Sequence, residues 1–396
     1  MRTLIKNITV FTEKETIPGG AIFIDNGKIA GVFSDVPDHL PEHTEVIDGM
    51  NWNALPGFID GHIHGANGAD VMDATEVALD TIASALPHEG TTSFLATTIT
   101  QSADHIERAL ENVANYQSKA GQAELLGVHL EGPFIEKSKA GAQPLQYIRK
   151  PNRKLFQKWQ DVSENRIKTI TLAPEHDEEG TFIHALAEQG INVSAGHTDA
   201  GFEEMKKAVH HGVRQLTHLC NAMNGIHHRD IGAVGAAFRM KNLKAELIAD
   251  GIHVAPEMLQ LIFDNMGSER LLLITDSMRA KGLPDGVYEL GGQPVRVSGN
   301  RAELENQTLA GSILKMNEGA KMMLSLDGVS LRNIMEMAST NPAKQIGIYD
   351  KKGSIAVGKD ADILLVDDDL NIKYTFCQGV VAYRGGQDES NTSERL

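Results

Sequence analysis

The chain has 396 residues, with 37 Lys and Arg against 53 Asp and Glu and a formal charge of −16. That length allows one large α/β domain with a smaller companion, and that charge argues against nucleic acid or an anionic membrane as partner, while leaving room for a small anionic substrate held by a few local cations. Cys220 and Cys377 are too few for a disulfide framework, and neither a signal peptide nor an apolar run of spanning length is visible, so a reduced, cytoplasmic setting is expected.

Residues 1 to about 54 are expected as short strands: Leu4–Asn7, Ala21–Ile24, an Asp25-Asn-Gly27 hairpin signal and Lys28–Val32. From about 54 to 276, short β-branched runs alternate with helical stretches. The expected strands are 54–61, 91–99, 125–130, 168–173, 191–195, 214–217, 245–249 and 271–275. Helices are expected at 74–88, 103–120, 178–189, 201–212 and 255–266. Eight strands with intervening helices is the count for a (β/α)₈ TIM-type barrel. A doubly wound open sheet is the alternative, but no Gly-x-Gly-x-x-Gly follows an early strand.

Beyond 276, Pro284-Asp-Gly286 and Gly291-Gly292 punctuate a hairpin insert near 284–305. Helices follow at 314–326 and 330–339, ending at Asn341-Pro342, and Ser354–Asp367 returns to strands. Both chain ends therefore read as β, and residues 1–54 and 354–396 are expected to form one small β-sandwich domain beside a barrel over 55–353. The tail beginning Gly385-Gly386 is expected to be mobile.

Catalytic groups of such barrels gather at the C-terminal strand ends. The first strand ends in His62-Ile-His64, whose imidazoles share one face because residues i and i+2 do. The third ends at Glu131, the fifth at His197, the sixth at His218 and the eighth at Asp276. Singly, each reads as a satisfied polar group or a cap. Gathered at one rim, four imidazoles and two carboxylates suit a borderline divalent ion, Zn²⁺ or Fe²⁺, and the same donors accept Mn²⁺ or Co²⁺. Asp276 stands apart from the imidazoles and is the candidate proton carrier. Hydrolysis of an amide is the expected reaction. His129 shares the inward face with Glu131 and is expected to pack or to support a ligand. His227-His228-Arg229 is a basic cluster suited to a phosphate, or an ordinary solvated loop.

Pro56-Gly-Phe-Ile-Asp-Gly-His-Ile-His-Gly65, Thr275-Asp276 and Val357-Gly-Lys-Asp-Ala-Asp362 together resemble the amidohydrolase superfamily. Within it, His129-Leu-Glu131-Gly-Pro-Phe134, Gly196-His197-Thr198, Thr217-His218-Leu-Cys-Asn221-Ala222-Met223 and Leu309-Ala310-Gly311-Ser312 are similar to the family that deacetylates N-acetylglucosamine 6-phosphate in amino-sugar catabolism. The resemblance implies Glu131, His197 and His218 as principal metal ligands, His62 and His64 as holders of a second ion, and Asp276 as the catalytic carboxylate. It also implies sugar and phosphate contacts from Asn221, Ala222, Arg229, His253 and the Leu309-Ala310-Gly311 turn, with Ala142, Gln143 and His228 beside them. Arg229 is expected to come from the second subunit of a homodimer. Some members place histidine where Gln143 stands, and glutamine cannot carry a charge. A related galactosamine-type deacetylase and a cyclic-amide hydrolase share the scaffold. The latter usually bridges its metals with a lysine at the end of strand four, which Thr171-Leu-Ala-Pro-Glu175 lacks. A metal-free binding scaffold is the non-enzyme alternative, and it is expected to have lost ligands.

Overall fold

The structure, a computed structural model, describes residues 2–385. Eight parallel strands lie side by side in sequence order: β1 (Phe58–Ile63), β2 (Thr91–Thr98), β3 (Glu124–Glu131), β4 (Ile167–Leu172), β5 (Asn192–Ala195), β6 (Gln215–Leu216), β7 (Lys244–Ile248) and β8 (Leu271–Ile274). Burial on both faces explains their near-continuous Val, Ile, Leu and Thr runs. A helix follows each strand, at 76–85, 103–115, 153–162, 181–188, 202–211, 232–239, 256–266 and 316–324. The arrangement is the (β/α)₈ barrel.

No regular ladder joins β8 to β1. The backbone N–H of Asp276 donates to His62 O at 2.8 Å, those of His64 and Gly65 donate to Ser277 O at 2.9 and 3.0 Å, and the buried Asp60 carboxylate bridges the strands below them. It accepts from Thr275 Oγ1 (2.5 Å), Thr275 N (3.3 Å) and His62 N (3.2 Å). The seam thus brings the ends of the first and last barrel strands together.

Several expectations need correction. The first strand does not run 54–61 unbroken. Asn53–Pro56 belongs to the small sheet, pairing with Ile363–Val366 and Arg2–Phe11, and β1 begins after Gly57. A Cβ on Gly57 would collide with the Thr92 side chain, so glycine lets the chain change sheets there. Helices 153–162 and 232–239 were not foreseen. The first starts at an Asn152 cap that accepts from Leu155 N (3.0 Å). The second, Gly-Ala-Val-Gly-Ala-Ala-Phe-Arg, mixes helix-favouring alanines with two glycines, and packing of its buried small residues offsets the cost of the glycines. The insert is three antiparallel strands, Gly286–Leu290, Gln293–Ser298 and Arg301–Glu303, rather than a hairpin. After Leu331–Met335 the chain continues through a π turn (336–340) into Asn341–Gln345. Pro342 directly follows that π turn, as the second residue of the last segment. Beyond Gly385, the tail lies outside the described residues.

Apart from a two-stranded pair, Gly65–Ala66 with Ala69–Asp70, the remaining strands form one eight-stranded mixed sheet. Arg2–Phe11 pairs antiparallel with Thr16–Asp25, and parallel with Thr44–Asp48 and Asn53–Pro56. Its own core includes Ile5, Ile22, Ile24, Leu365 and Phe376. Lys352 fastens this sheet to the barrel. Its Nζ lies 2.6 Å from Glu124 at the start of β3, 2.5 Å from Asp362 and 3.1 Å from Asp360. At 4% exposure the ammonium has little water to replace those partners. The Lys352→Met variant leaves Asp362 buried without its cation. Its stability in urea should fall by about 3–5 kcal/mol, the usual cost of breaking a buried ion pair from one side. A midpoint unchanged from wild type would mean that the pair is replaced by solvent.

Candidate active site

The six rim residues come together where the strands end. His62 lies in β1 and His64 one residue past it, with ring centroids 5.4 Å apart. Glu131 closes β3, His197 and His218 stand two residues past β5 and β6, and Asp276 stands two past β8. All six are buried. His197, His218 and Asp276 have φ of 47°, 34° and 49°. This left-handed region is uncommon for residues with a Cβ, and each such residue costs roughly 1–3 kcal/mol. No feature of the sequence signals that strain.

Backbone and carboxylate acceptors fix the tautomers. His64 Nδ1 faces Thr97 O at 3.2 Å and His197 Nδ1 faces Lys139 O at 2.8 Å. A carbonyl only accepts, so both Nδ1 atoms carry the proton. His62 Nδ1 likewise donates to Glu246 Oε2 at 3.0 Å. The Nε2 atoms of these three rings therefore point into the site and, in the neutral tautomer, present their lone pairs there. His62 Nε2 is buried without a hydrogen-bond partner, and the Nε2 atoms of His197 and His218 face each other at 3.1 Å.

Glu131 sits among them. Its Oε1 lies 3.2 Å from both His197 Nε2 and His218 Nε2, and 3.4 Å from His62 Nε2. Its Oε2 lies 3.3 Å from His64 Nε2. Asp276 Oδ1 is 3.2 Å from His64 and 3.4 Å from His62. Two donor sets result, His62–His64–Asp276 and Glu131–His197–His218, each with ligand atoms within 4.8 Å of one another.

Electrostatics fit a cation. Burial disfavours protonation of His62, but Asp276, Glu131 and Glu246 outweigh it and lift its pKa to about 9. Burial pushes the Asp276 pKa up, yet His62 and His64 outweigh that and hold it down at about 2. Buried carboxylates thus demand positive charge where the imidazoles converge, and a metal ion held on the Nε2 atoms meets the same demand as protons there.

Above this floor opens a cavity of about 320 Å³. Ala142, Gln143, Asn221, Ala222, His253, Leu309 and Gly311 line it, with Thr308 and Lys139, which had not been singled out. Ala310 does not. It is fully buried under the three-stranded insert, beside Ile99 and Met278. Nor do His228 and Arg229, which are exposed and line a separate recess with Glu203 and Glu204. Gln143 faces the metal floor instead of carrying a substrate charge. Its Nε2 donates to Glu131 Oε2 (2.7 Å), and its Oε1 accepts from Thr100 N (2.8 Å). His129 supports the barrel, bonding Gly61 O (3.0 Å) and Thr171 Oγ1 (2.7 Å).

Sequence reasoning overlooked Asp60 and Glu246. Both left a signal: Asp60 shares the His62 face two residues earlier, and Glu246 interrupts an apolar strand between Ala245 and Leu247. Lys139 left none.

Imidazole lone pairs and carboxylates converging at the C-terminal rim of a parallel barrel define a metal-dependent hydrolase. More narrowly, the chain belongs to the amidohydrolase family, whose pattern matches residues 53–382. It is 48% identical to N-acetylglucosamine-6-phosphate deacetylase of Bacillus subtilis, over 96% of this chain and 97% of that one. It is 36% identical to N-acetylgalactosamine-6-phosphate deacetylase of Escherichia coli O157:H7, over 96% of this chain and 100% of the other. A mutant N-acetyl-D-glucosamine-6-phosphate deacetylase of Mycobacterium smegmatis, solved in complex with N-acetyl-D-glucosamine-6-phosphate, superimposes with a TM-score of 0.89 at 28% identity. That match covers 96% of this chain and 99% of the other. Among the described residues, no helix is long and apolar enough to cross a membrane.

Proposed function

We propose that the chain hydrolyses the acetamide of N-acetyl-D-glucosamine 6-phosphate, giving D-glucosamine 6-phosphate and acetate, and so serves amino-sugar catabolism. The observation that carries this reading is a complete set of rim donors beneath an open cavity, in a chain 48% identical to a deacetylase of that name over nearly its whole length. A cyclic-amide hydrolase fits less well, since β4 ends without a lysine. A metal-free scaffold fits poorly with the intact donor sets.

In this reading Glu131, His197 and His218 hold the principal ion, and His62 and His64 with Asp276 hold a second. Imidazole and carboxylate donors suit Zn²⁺ or Fe²⁺. A divalent ion bound there supplies Lewis acidity, lowering the pKa of water and polarising the acetamide carbonyl. Asp276 takes the proton of the attacking water and delivers it to the amine nitrogen as the C–N bond breaks. Gln143 keeps Glu131 in place through its 2.7 Å hydrogen bond. Asn221, Ala222, His253, Ala142, Leu309 and Gly311 shape the sugar pocket. Because Arg229 and His228 stand exposed outside their own cavity, we assign them to the phosphate of a neighbouring subunit's substrate in a homodimer.

Acetate release from N-acetyl-hexosamines with and without a 6-phosphate, run beside elemental analysis, tests the substrate. The phosphorylated glucosamine compound should be turned over fastest; faster turnover of its galactosamine isomer moves the assignment to that sugar. Arg229→Ala should lower kcat/KM for the phosphorylated substrate by about 2–3 kcal/mol, the range of a charge-assisted contact. It should hardly alter the slow reaction of the unphosphorylated sugar. Mixing this variant with Asp276→Asn protein should restore part of the activity through hybrid dimers. Equal loss on both substrates would place Arg229 in folding instead.

Asp276→Asn keeps the side-chain shape but cannot accept a proton. Its kcat should fall by roughly 10²–10⁴, the usual worth of general acid–base catalysis. Activity within a few-fold of wild type would reduce Asp276 to a structural role.

A further inference from the structure

Glu246 is a carboxylate at 2% exposure in the middle of β7, and among the described residues no Lys or Arg pairs with it. A line of amides runs toward it. Gln345 Nε2 donates to Asn192 Oδ1 (2.7 Å), Asn192 Nδ2 to Gln215 Oε1 (3.0 Å), and Gln215 Nε2 to Glu246 Oε1 (2.6 Å). From the opposite side, His62 Nδ1 donates to Oε2 at 3.0 Å, and His218 N approaches the same oxygen at 3.3 Å. His129 Nδ1 is 3.9 Å away and already bonds Gly61 O, while its Nε2 bonds Thr171. The trio His62–His129–Glu246 therefore has no free imidazole nitrogen from His129 and is not a metal site of its own.

What remains is a carboxylate that receives donors on both oxygens, with the His62 ring linking it to the rim. A carboxylate on the far nitrogen of a ligating imidazole fixes the ring and raises the basicity of the near one. Resting on the reading that His62 and His64 hold an ion, we propose that Glu246 is the positioning residue for that ion. The His62–His64–Asp276 position keeps full metal affinity only with a carboxylate at 246 to receive His62 Nδ1. Glutamine at 246 would present an amide N–H₂ either to Gln215 Nε2 or to His62 Nδ1, donor against donor, besides removing the charge.

The test measures metal content after dialysis against graded chelator, in wild type, Glu246→Gln and the His62→Ala/His64→Ala double variant. Wild type should retain two ions and the double variant one. Glu246→Gln should lose its weaker ion at roughly 10–100-fold lower chelator strength while keeping the other. Any fall in the metal-free melting temperature of Glu246→Gln from the buried donor-against-donor contact should leave retention of the other ion unchanged. Loading with Co²⁺ should show the visible absorption of only one of the two positions weakened. Both ions held as in wild type overturns the proposal, as does parallel loss of both with a lower metal-free melting temperature, which marks a merely structural role. Equal metal content in wild type and the double variant overturns the two-ion reading and this proposal with it. If Glu246→Gln does not fold, Glu246→Asp, one methylene short of His62, is judged by the same outcomes.

Discussion

The barrel meets itself across β1 and β8 through a buried carboxylate and a few backbone bonds at the strand ends rather than a regular ladder, and the geometry of the rim depends on that seam. Asp60 takes the place of the missing strand-to-strand bonds, receiving Thr275 and the His62 amide on one carboxylate. Because the Asp276 amide then bonds His62 O, a shift of one residue at the seam would turn either His62 or Asp276 to the opposite face. The seam is itself under electrostatic tension. Burial lifts the Asp60 pKa to about 6 against the pull of Lys281.

The rim carries further unfavourable energy. Three of its six candidate groups sit at left-handed φ, and its two carboxylates are taken out of water. Neither feature favours folding. Both are tolerated because the surrounding strands are packed and fully buried, and because a bound cation is stabilised by the same negative charge that burdens the empty cluster. The strands supply rigidity and the rim spends it.

Much of this was legible in the residues. Alternation of β-branched runs with helical stretches marks the barrel because each strand is buried on both faces, and the six rim groups stand out because they are polar residues at the ends of apolar runs. Other features were hidden for physical reasons. The break at Gly57 depends on which sheet each half of an unbroken apolar run joins, a long-range matter. Helix 232–239 is short and largely small and apolar, with no polar face to mark a period, and its two glycines are held helical by packing. Ala310 looks like part of a binding turn, yet the insert buries it. Arg229 follows a ligand strand in sequence, but its loop carries it away from its own cavity.

Asn53–Pro56 lies between strands from opposite ends of the described chain, and Asn53 hydrogen-bonds Asp368 across 315 residues. During synthesis from the N-terminus, that strand emerges early and waits with one edge unpaired until Ile363–Val366 is made. An unpaired apolar edge next to β1 is a template for wrong pairing, between neighbouring nascent chains as well as within one. The sheet that anchors the barrel is therefore the last part to become native, and the interval before its completion is when the chain is most exposed to aggregation.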